Sequence, residues 1–210
     1  MLPRFYPILD TELLARYALS AQEAAEALLS VGARILQFRH KSDFDRQTFS
    51  TAERVAELCR RSNATFVVND RADIALLLDA ALHVGQDDLA PADARKVIGG
   101  ARTLGFSTHN ERQLLASKDE PIDYVAIGPI FTTGSKRNPD PVVGIDELRR
   151  LRVLAGRPLV AIGGITRHNA LEVMNAGADS VAVVGDLIPQ DPNPRTIRQR
   201  AEEWMSVLND

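Results

Sequence analysis

The feature that most constrains this chain is a regular alternation of eight short β-branched and apolar runs with eight longer segments of helical period. The runs fall at residues 5–9, 35–38, 65–68, 81–84, 103–106, 124–127, 159–162 and 181–184. The helical period occupies residues 21–30, 44–61, 73–79, 91–98, 111–117, 145–154, 167–176 and 194–208. Ser20 stands where it can cap the first of these helices and Gly32 where it can end it; Gly177 ends the segment that contains Met174. The runs are continuous, as in Phe66-Val67-Val68 and Val181-Ala182-Val183-Val184, which is the pattern of parallel strands buried on both faces. Eight such units with no break in composition predict an α/β fold, a single (β/α)8 TIM barrel, with residues 1–210 as one domain near the lower size limit of that architecture. An open doubly wound sheet is the competing arrangement. The one long connection, residues 128–144, is rich in Thr, Gly, Pro and charge, and a loop of that length in a compact barrel reads as a functional lid.

Composition narrows the function. Lys and Arg number 25 against 28 Asp and Glu, a net charge of −3, so the chain lacks the concentrated positive charge that nucleic-acid backbones require. The single cysteine, Cys59, excludes an intrachain disulfide and a cysteine-rich zinc site, and points to a reducing compartment. Apolar stretches such as residues 74–78 fall far short of the roughly 20 residues that span a bilayer. Pro3 and Arg4 interrupt the N-terminus before a leader-like apolar core can form. The expectation is a cytoplasmic protein that acts on small molecules, with no nucleic-acid or membrane partner; homo-oligomerisation is left open.

In a (β/α)8 barrel the active site lies at the C-terminal ends of the strands. Those ends are polar here. Arg39 and Lys41 follow the second run, with Gln37 inside its end; Asn69-Asp70-Arg71 follow the third, Gly85-Gln86-Asp87-Asp88 the fourth and Ser107-Thr108-His109 the fifth. Thr132, Thr133, Ser135 and Lys136 lie on the long loop, Gly163-Gly164-Ile165-Thr166 after the seventh run and Gly185 after the eighth. Gly163, Gly164 and Gly185 suit the phosphate site that barrels build after strands 7 and 8; tight turns account for glycines equally well. Arg39, Lys41 and Lys136 would add positive charge across the mouth for a second phosphate-bearing group, against the alternative of solvated surface charge. Asp70 and Asp88, after adjacent strands, are placed to share a hard cation such as Mg2+, to cap helices or to exchange protons. His83 and His109 read as packing or hydrogen-bonding residues, His168 as an ordinary helix-start residue, and Trp204 and Phe49 as core or interface.

These segments resemble the thiamine-phosphate synthase family. Gln37-Phe38-Arg39-His40-Lys41 resembles its Q-x-R-x-K signature. Asn69-Asp70-Arg71, the segment from His83 through Asp88 to Leu89, Gly105-Phe106-Ser107-Thr108-His109, Gly128-Pro129-Ile130-Phe131 and Ala161-Ile162-Gly163-Gly164-Ile165 follow in the family's order and spacing. The resemblance covers nearly the whole chain. It implies a transferase that joins 4-amino-2-methyl-5-hydroxymethylpyrimidine diphosphate to a thiazole phosphate, releasing pyrophosphate, by a dissociative substitution. It further implies that Gln37, Arg39, Lys41, Asn69, Ser107 and Lys136 hold the pyrimidine diphosphate, with Arg39, Lys41, Ser107 and Lys136 acting in catalysis. Asp70 and Asp88 would hold Mg2+. Thr133, Gly134, Ser135, Gly164, Val184 and Gly185 would hold the thiazole phosphate, next to Gly163.

Five positions depart from the family pattern. His40 stands where an acid is usual, Thr132 where Pro is frequent and Ser135 where Thr is frequent. Gly185-Asp186 replaces a Ser and a small residue, which removes a hydroxyl donor and adds a carboxylate beside the expected thiazole phosphate. Two other functions compete: a thiazole tautomerase-like paralogue and a non-catalytic phosphate-binding barrel. Tautomerase-like relatives typically carry His after the Gly at the start of the long loop, where this chain has Pro129, and they lose the acid pair and lid cation that Asp70, Asp88 and Lys136 retain here.

Overall fold

The computed structural model describes residues 2–134 and 140–209. Eight strands, β1 (Phe5–Asp10), β2 (Ile35–Arg39), β3 (Thr65–Asn69), β4 (Ala81–Val84), β5 (Leu104–Thr108), β6 (Tyr124–Ile127), β7 (Leu159–Ile162) and β8 (Ser180–Val183), pair in parallel in sequence order. β8 returns to β1, with Phe5 opposite Val181 and Pro7 opposite Val183, so the sheet closes into the expected barrel. The helices that surround it are α1 (Thr11–Arg16), α2 (Ala21–Ser30), α3 (Arg46–Arg61), α4 (Ala72–Leu77), α5 (Pro91–Ile98), α6 (Glu111–Ala116), α7 (Ile145–Arg152), α8 (Ala170–Asn175) and α9 (Pro194–Leu208). Among the described residues no helix is long and apolar enough to cross a membrane.

Local chemistry sets the element ends, and it explains where the structure departs from the sequence pattern. α1 was not expected. It exists because Asp10, the last residue of β1, accepts a hydrogen bond from the Leu13 amide at 2.8 Å and so starts a helix directly off the strand. α3 begins at Arg46, not at residue 44, because the Asp45 carboxylate caps it through the Thr48 amide at 2.8 Å. α8 begins at Ala170, three residues later than its periodicity suggests; Asn169 accepts from the Thr166 amide at 2.7 Å and holds 166–169 as a turn. At the other end of the chain α9 opens with a full capping box, Asn193 and Thr196 each serving the other's amide.

The core has two layers. Outward-facing strand residues such as Phe5, Leu36, Val68 and Leu82 pack against the helices, and Phe5 stacks on Trp204 of α9 with ring centroids 5.6 Å apart. Inward-facing residues fill the barrel: Tyr6 and Ile8 from β1, Ile35 from β2, Val67 from β3, Ala81 from β4, Tyr124 and Ala126 from β6, Val160 from β7 and Ala182 from β8. The interior depends on one glycine. A β-carbon on Gly105 of β5 would stand 2.0 Å from Cζ of Tyr124, so the bare backbone of β5 is what lets the tyrosine ring lie across it.

That contact makes a measurable demand. Gly105→Ala should lower stability by about 2–3 kcal/mol in urea unfolding, because the ring must leave its seat in a packed interior. In a Tyr124→Ala background the same change should cost less than about 1 kcal/mol, a coupling that a double-mutant cycle reads directly.

Candidate active site

At the C-terminal ends of the strands, the residues singled out from the sequence do converge. Gln37 is buried inside β2, and its amide nitrogen donates to the Tyr6 hydroxyl at 2.8 Å. Arg39, at the end of β2, is paired with the buried carboxylate of Asp10. Lys41, two residues on, reaches across to β3 and holds Asp70 at 2.5 Å. His40, between them, pins this segment to α1 through a 2.7 Å contact of Nδ1 with the Thr11 hydroxyl. Of the three cations expected to bind anions, Arg39 and Lys41 therefore each rest on a carboxylate, and Asp10, which sequence reasoning did not single out, is what orients Arg39.

Asp70 stands just past β3 with φ of +65°, a left-handed conformation that Asp tolerates better than most residues and that recurs at functional turns. Its carboxyl is pushed up to about 6, first by burial and then by hydrogen bonding to the Asp88 carboxyl, with Lys41 opposing both. Asp88 is itself held by the Gly85 amide at 2.7 Å. The pair thus carries a like-charge conflict that one lysine only partly relieves. Next to it, Asn69 is buried at the end of β3, and among the described residues its amide nitrogen has no hydrogen-bond partner. A buried, unpaired donor at the barrel mouth leaves an N–H able to serve a ligand there.

Ser107 on β5 completes this side. Its hydroxyl lies 2.8 Å from Nε2 of His83, and its carbonyl accepts from the Gln86 side chain at 2.6 Å. His83, on β4, is held neutral: burial pushes its pKa down to about 4. It and His109, which lies 2.6 Å from the Gly128 carbonyl through Nδ1, are the hydrogen-bonding residues that the sequence suggested.

The opposite side of the mouth is glycine-built. Gly163 has φ of +100°, and a β-carbon there would stand 2.5 Å from Cβ of Pro129; one on Gly164 would meet the Thr132 carbonyl oxygen at 2.6 Å. The Ile130 and Phe131 amides donate to the Ile162 and Gly163 carbonyls at 2.9 and 3.0 Å. These two glycines are therefore required first by the close passage of the β6 loop over β7, whatever they offer an anion. Thr133 is half-buried on that loop and Gly134 exposed. Ser135 and Lys136 lie outside the described residues. Val184 is half-buried past β8, followed by exposed Gly185, whose φ is not positive and whose missing side chain would meet nothing within 4 Å. Asp186 turns away: it pairs with Arg167 at 2.9 Å and accepts from Arg200 through its carbonyl at 2.7 Å.

A closed parallel barrel whose mouth gathers an acid pair, strand-end cations and an unpaired buried amide belongs to the class of (β/α)8 enzymes that handle small phosphorylated molecules. Known proteins narrow this class. The family model described as thiamine monophosphate synthase matches residues 5–187, and the chain belongs to that family. A thiamine-phosphate synthase of Koribacter versatilis is 46% identical over 211 residues, covering 99% of this chain and 97% of that protein. One from Chloroflexus aurantiacus is 41% identical, covering 86% of this chain and 83% of its own. Among solved structures, a thiamine phosphate pyrophosphorylase from Pyrococcus furiosus superposes with a TM-score of 0.84 at 28% identity, covering 98% of this chain and 95% of the other.

The neutral state of His83 sets a pH dependence. The unfolded chain takes up a proton on His83 near the ordinary value of 6.5, while the folded chain refuses it until about 4. Its contribution is therefore complete above pH 6.5 and is lost as the pH falls toward 4. Asp70 runs the other way, since a raised carboxyl pKa costs stability as the pH rises from 3.8 through about 6. The comparison must therefore be made between variants at each pH. Relative to wild type, His83→Gln should gain on the order of 2 kcal/mol between pH 7 and pH 4.5, read by urea titration.

Proposed function

We propose that the chain is a thiamine-phosphate synthase that joins the methylene carbon of an aminopyrimidine methyl diphosphate to the ring nitrogen of a thiazole phosphate, with release of pyrophosphate. The observation that carries this reading is the Lys41–Asp70–Asp88 cluster beside the unpaired Asn69 amide, in a chain of this family. An acid pair whose carboxyl pKa is raised by burial and by the neighbouring carboxyl fits a divalent cation, and Mg2+ takes one or two carboxylates from a protein and completes its shell from phosphate oxygens and water. Asp70 and Asp88 would hold Mg2+, which when bound supplies positive charge at the departing pyrophosphate.

The remaining work falls to the chain's own residues. Asn69 donates to the pyrimidine diphosphate from a buried position. Gln37, whose nitrogen is committed to Tyr6, keeps its carbonyl oxygen for a donor such as the exocyclic amino group. Arg39, steadied by Asp10, and Lys41, exchanged from Asp70, place fixed charge against the diphosphate together with Lys136. Ser107 adds a hydroxyl. The carbon–oxygen bond to pyrophosphate breaks and its electron pair leaves with the oxygen; the thiazole nitrogen then gives its lone pair to the electron-poor methylene carbon. No protein nucleophile takes part. Thr133, Gly134, Ser135, Gly163, Gly164, Val184 and Gly185 form the side that holds the thiazole phosphate, and loop 128–144 keeps water from the reactive carbon. Cys59, the chain's one cysteine and buried, supports work in a reducing compartment such as the cytoplasm.

The test is formation of thiamine phosphate from both purified substrates with Mg2+, repeated in EDTA. Asp70→Ala and Asp88→Ala should each lower kcat at least about tenfold with the circular dichroism spectrum unchanged, and EDTA should abolish turnover. Full activity in EDTA would overturn the metal assignment.

The departures at 185 and 186 give a separate expectation. Gly185 has room and an ordinary φ, so Gly185→Ser should tighten thiazole phosphate about tenfold by adding one hydroxyl donor to a charged acceptor. Asp186→Ala should leave that affinity within about twofold, because its carboxylate is spent on Arg167. Calorimetry on the two variants measures both.

A further inference from the structure

A chain of polar groups runs through the barrel interior and joins Gln37 on β2 to Ser107 on β5. Gln37 on β2 donates to Tyr6 on β1 at 2.8 Å; the Tyr6 hydroxyl lies 2.9 Å from that of Tyr124 on β6. The Tyr124 hydroxyl lies 2.9 Å from Nδ1 of His83 on β4, whose Nε2 lies 2.8 Å from the Ser107 hydroxyl on β5. Tyr6 and Tyr124 are each 1% exposed, so water cannot substitute for a missing partner. We propose that Tyr6, Tyr124 and His83 are positioning residues: they form a one-way hydrogen-bond chain that compels Ser107 to give its hydroxyl proton to the substrate.

The direction follows from counting protons. Gln37 supplies N–H to the Tyr6 oxygen, so Tyr6 spends its own proton on Tyr124, and Tyr124 spends its proton on Nδ1. The imidazole then carries its proton on Nε2 and donates it to the Ser107 oxygen. Ser107 is left with a free hydroxyl proton at the mouth. Reversing the His83 tautomer leaves one tyrosine proton without an acceptor in a dry interior, at the full cost of desolvating it. The groups hold the forms this scheme needs: burial raises the Tyr6 pKa to about 12 and lifts that of Tyr124 well above the ordinary tyrosine value, so both keep their protons. His83 stacks on Tyr124 with ring centroids 5.6 Å apart at 26°, which fixes the plane of the imidazole. Gly105, by leaving the ring of Tyr124 its seat on β5, is what allows the hydroxyl to reach past β5 to His83. An apolar filling of this interior avoids every one of these desolvation costs, so the chain is retained for the orientation it imposes.

The inference rests on the synthase reading for the substrate to which Ser107 donates, and its first test does not need turnover. Nitrogen NMR of histidine-labelled wild-type enzyme, with the His83 signals assigned by their loss in His83→Gln, should show a neutral imidazole protonated at Nε2. Protonation at Nδ1, or a mixture, would overturn the proposal whatever the enzyme makes. In turnover, Tyr124→Phe should lower kcat about tenfold and leave KM for thiazole phosphate within about twofold, while the same change in a Ser107→Ala background should have no further effect. His83→Gln, which restores an N–H toward Ser107, should exceed His83→Leu in kcat by at least about fivefold. An equal loss from Tyr124→Phe with and without the Ser107 hydroxyl would show that the tyrosine acts on stability alone and overturn the proposal. Absence of any thiamine phosphate from wild type would sink the synthase reading and leave the tautomer result standing.

Discussion

Closure of eight parallel strands leaves an interior that side chains must fill, and here one ring does the filling that the others adapt to. Tyr124 lies over the bare backbone of Gly105, within 2.0 Å of where a β-carbon would be. From that seat its hydroxyl meets both Tyr6 and His83. The packing constraint and the polar chain are thus the same contact seen twice: a ring placed to fill volume delivers a hydroxyl to a point where the interior holds no water. Ile8, Ile35, Val67 and Val160 close the remaining space around it. The mouth above is consequently built on a floor that cannot shift without unpairing buried groups.

Electrostatics at the mouth has its own logic. A cation proposed to meet a diphosphate has to be held somewhere before the ligand arrives, and this chain gives Arg39 and Lys41 each a carboxylate, Asp10 and Asp70. The two pairings differ. Asp10 is buried and also caps α1, so Arg39 stays anchored and offers its outward N–H groups. Lys41 is far more exposed, and its partner is already in conflict with Asp88, so that pair can open when an anion and a divalent cation compete for its members.

The sequence made the barrel legible because parallel strands covered on both faces read as uninterrupted apolar runs, and eight of them recur with helices between. Strand-end chemistry made Gln37, Arg39, Asn69, Asp70, Asp88 and Ser107 legible as well, since the architecture puts those ends together. The same uninterrupted runs hid what lies below. With no polar alternation, nothing in the text of the strands marks Tyr6 and Tyr124 as inward, and their partnership with His83 spans residues 6, 83 and 124 across three strands. Asp10 was hidden for another reason: it is the last residue of β1 and the cap of α1 at once, and α1 is too short to announce itself by period. A reading of inward parity, starting from Gln37 and Ser107 and counting back by two along each neighbouring strand, is the signal that reaches the tyrosines.

The glycine-built side shows how one residue type can satisfy two demands. Gly163 and Gly164 look from the sequence like a place for a phosphate to approach, and in the structure the first thing to approach is the backbone of 129–132. The β6 loop therefore leaves the barrel on a fixed track, tied by the Ile130 and Phe131 amides to β7, and any anion bound beside it meets a preorganised edge. Asp186 raises the opposite question, of a negative charge near a negative ligand. Paired with Arg167 and close to Arg200, with a side chain only 13% exposed, it projects little uncompensated field toward the mouth. The departure at 185 and 186 is thus the removal of one hydroxyl donor and not the addition of a repulsive charge. In the proposed synthase that change bears only on how strongly a phosphate is held at this end, and the floor beneath the mouth is untouched by it.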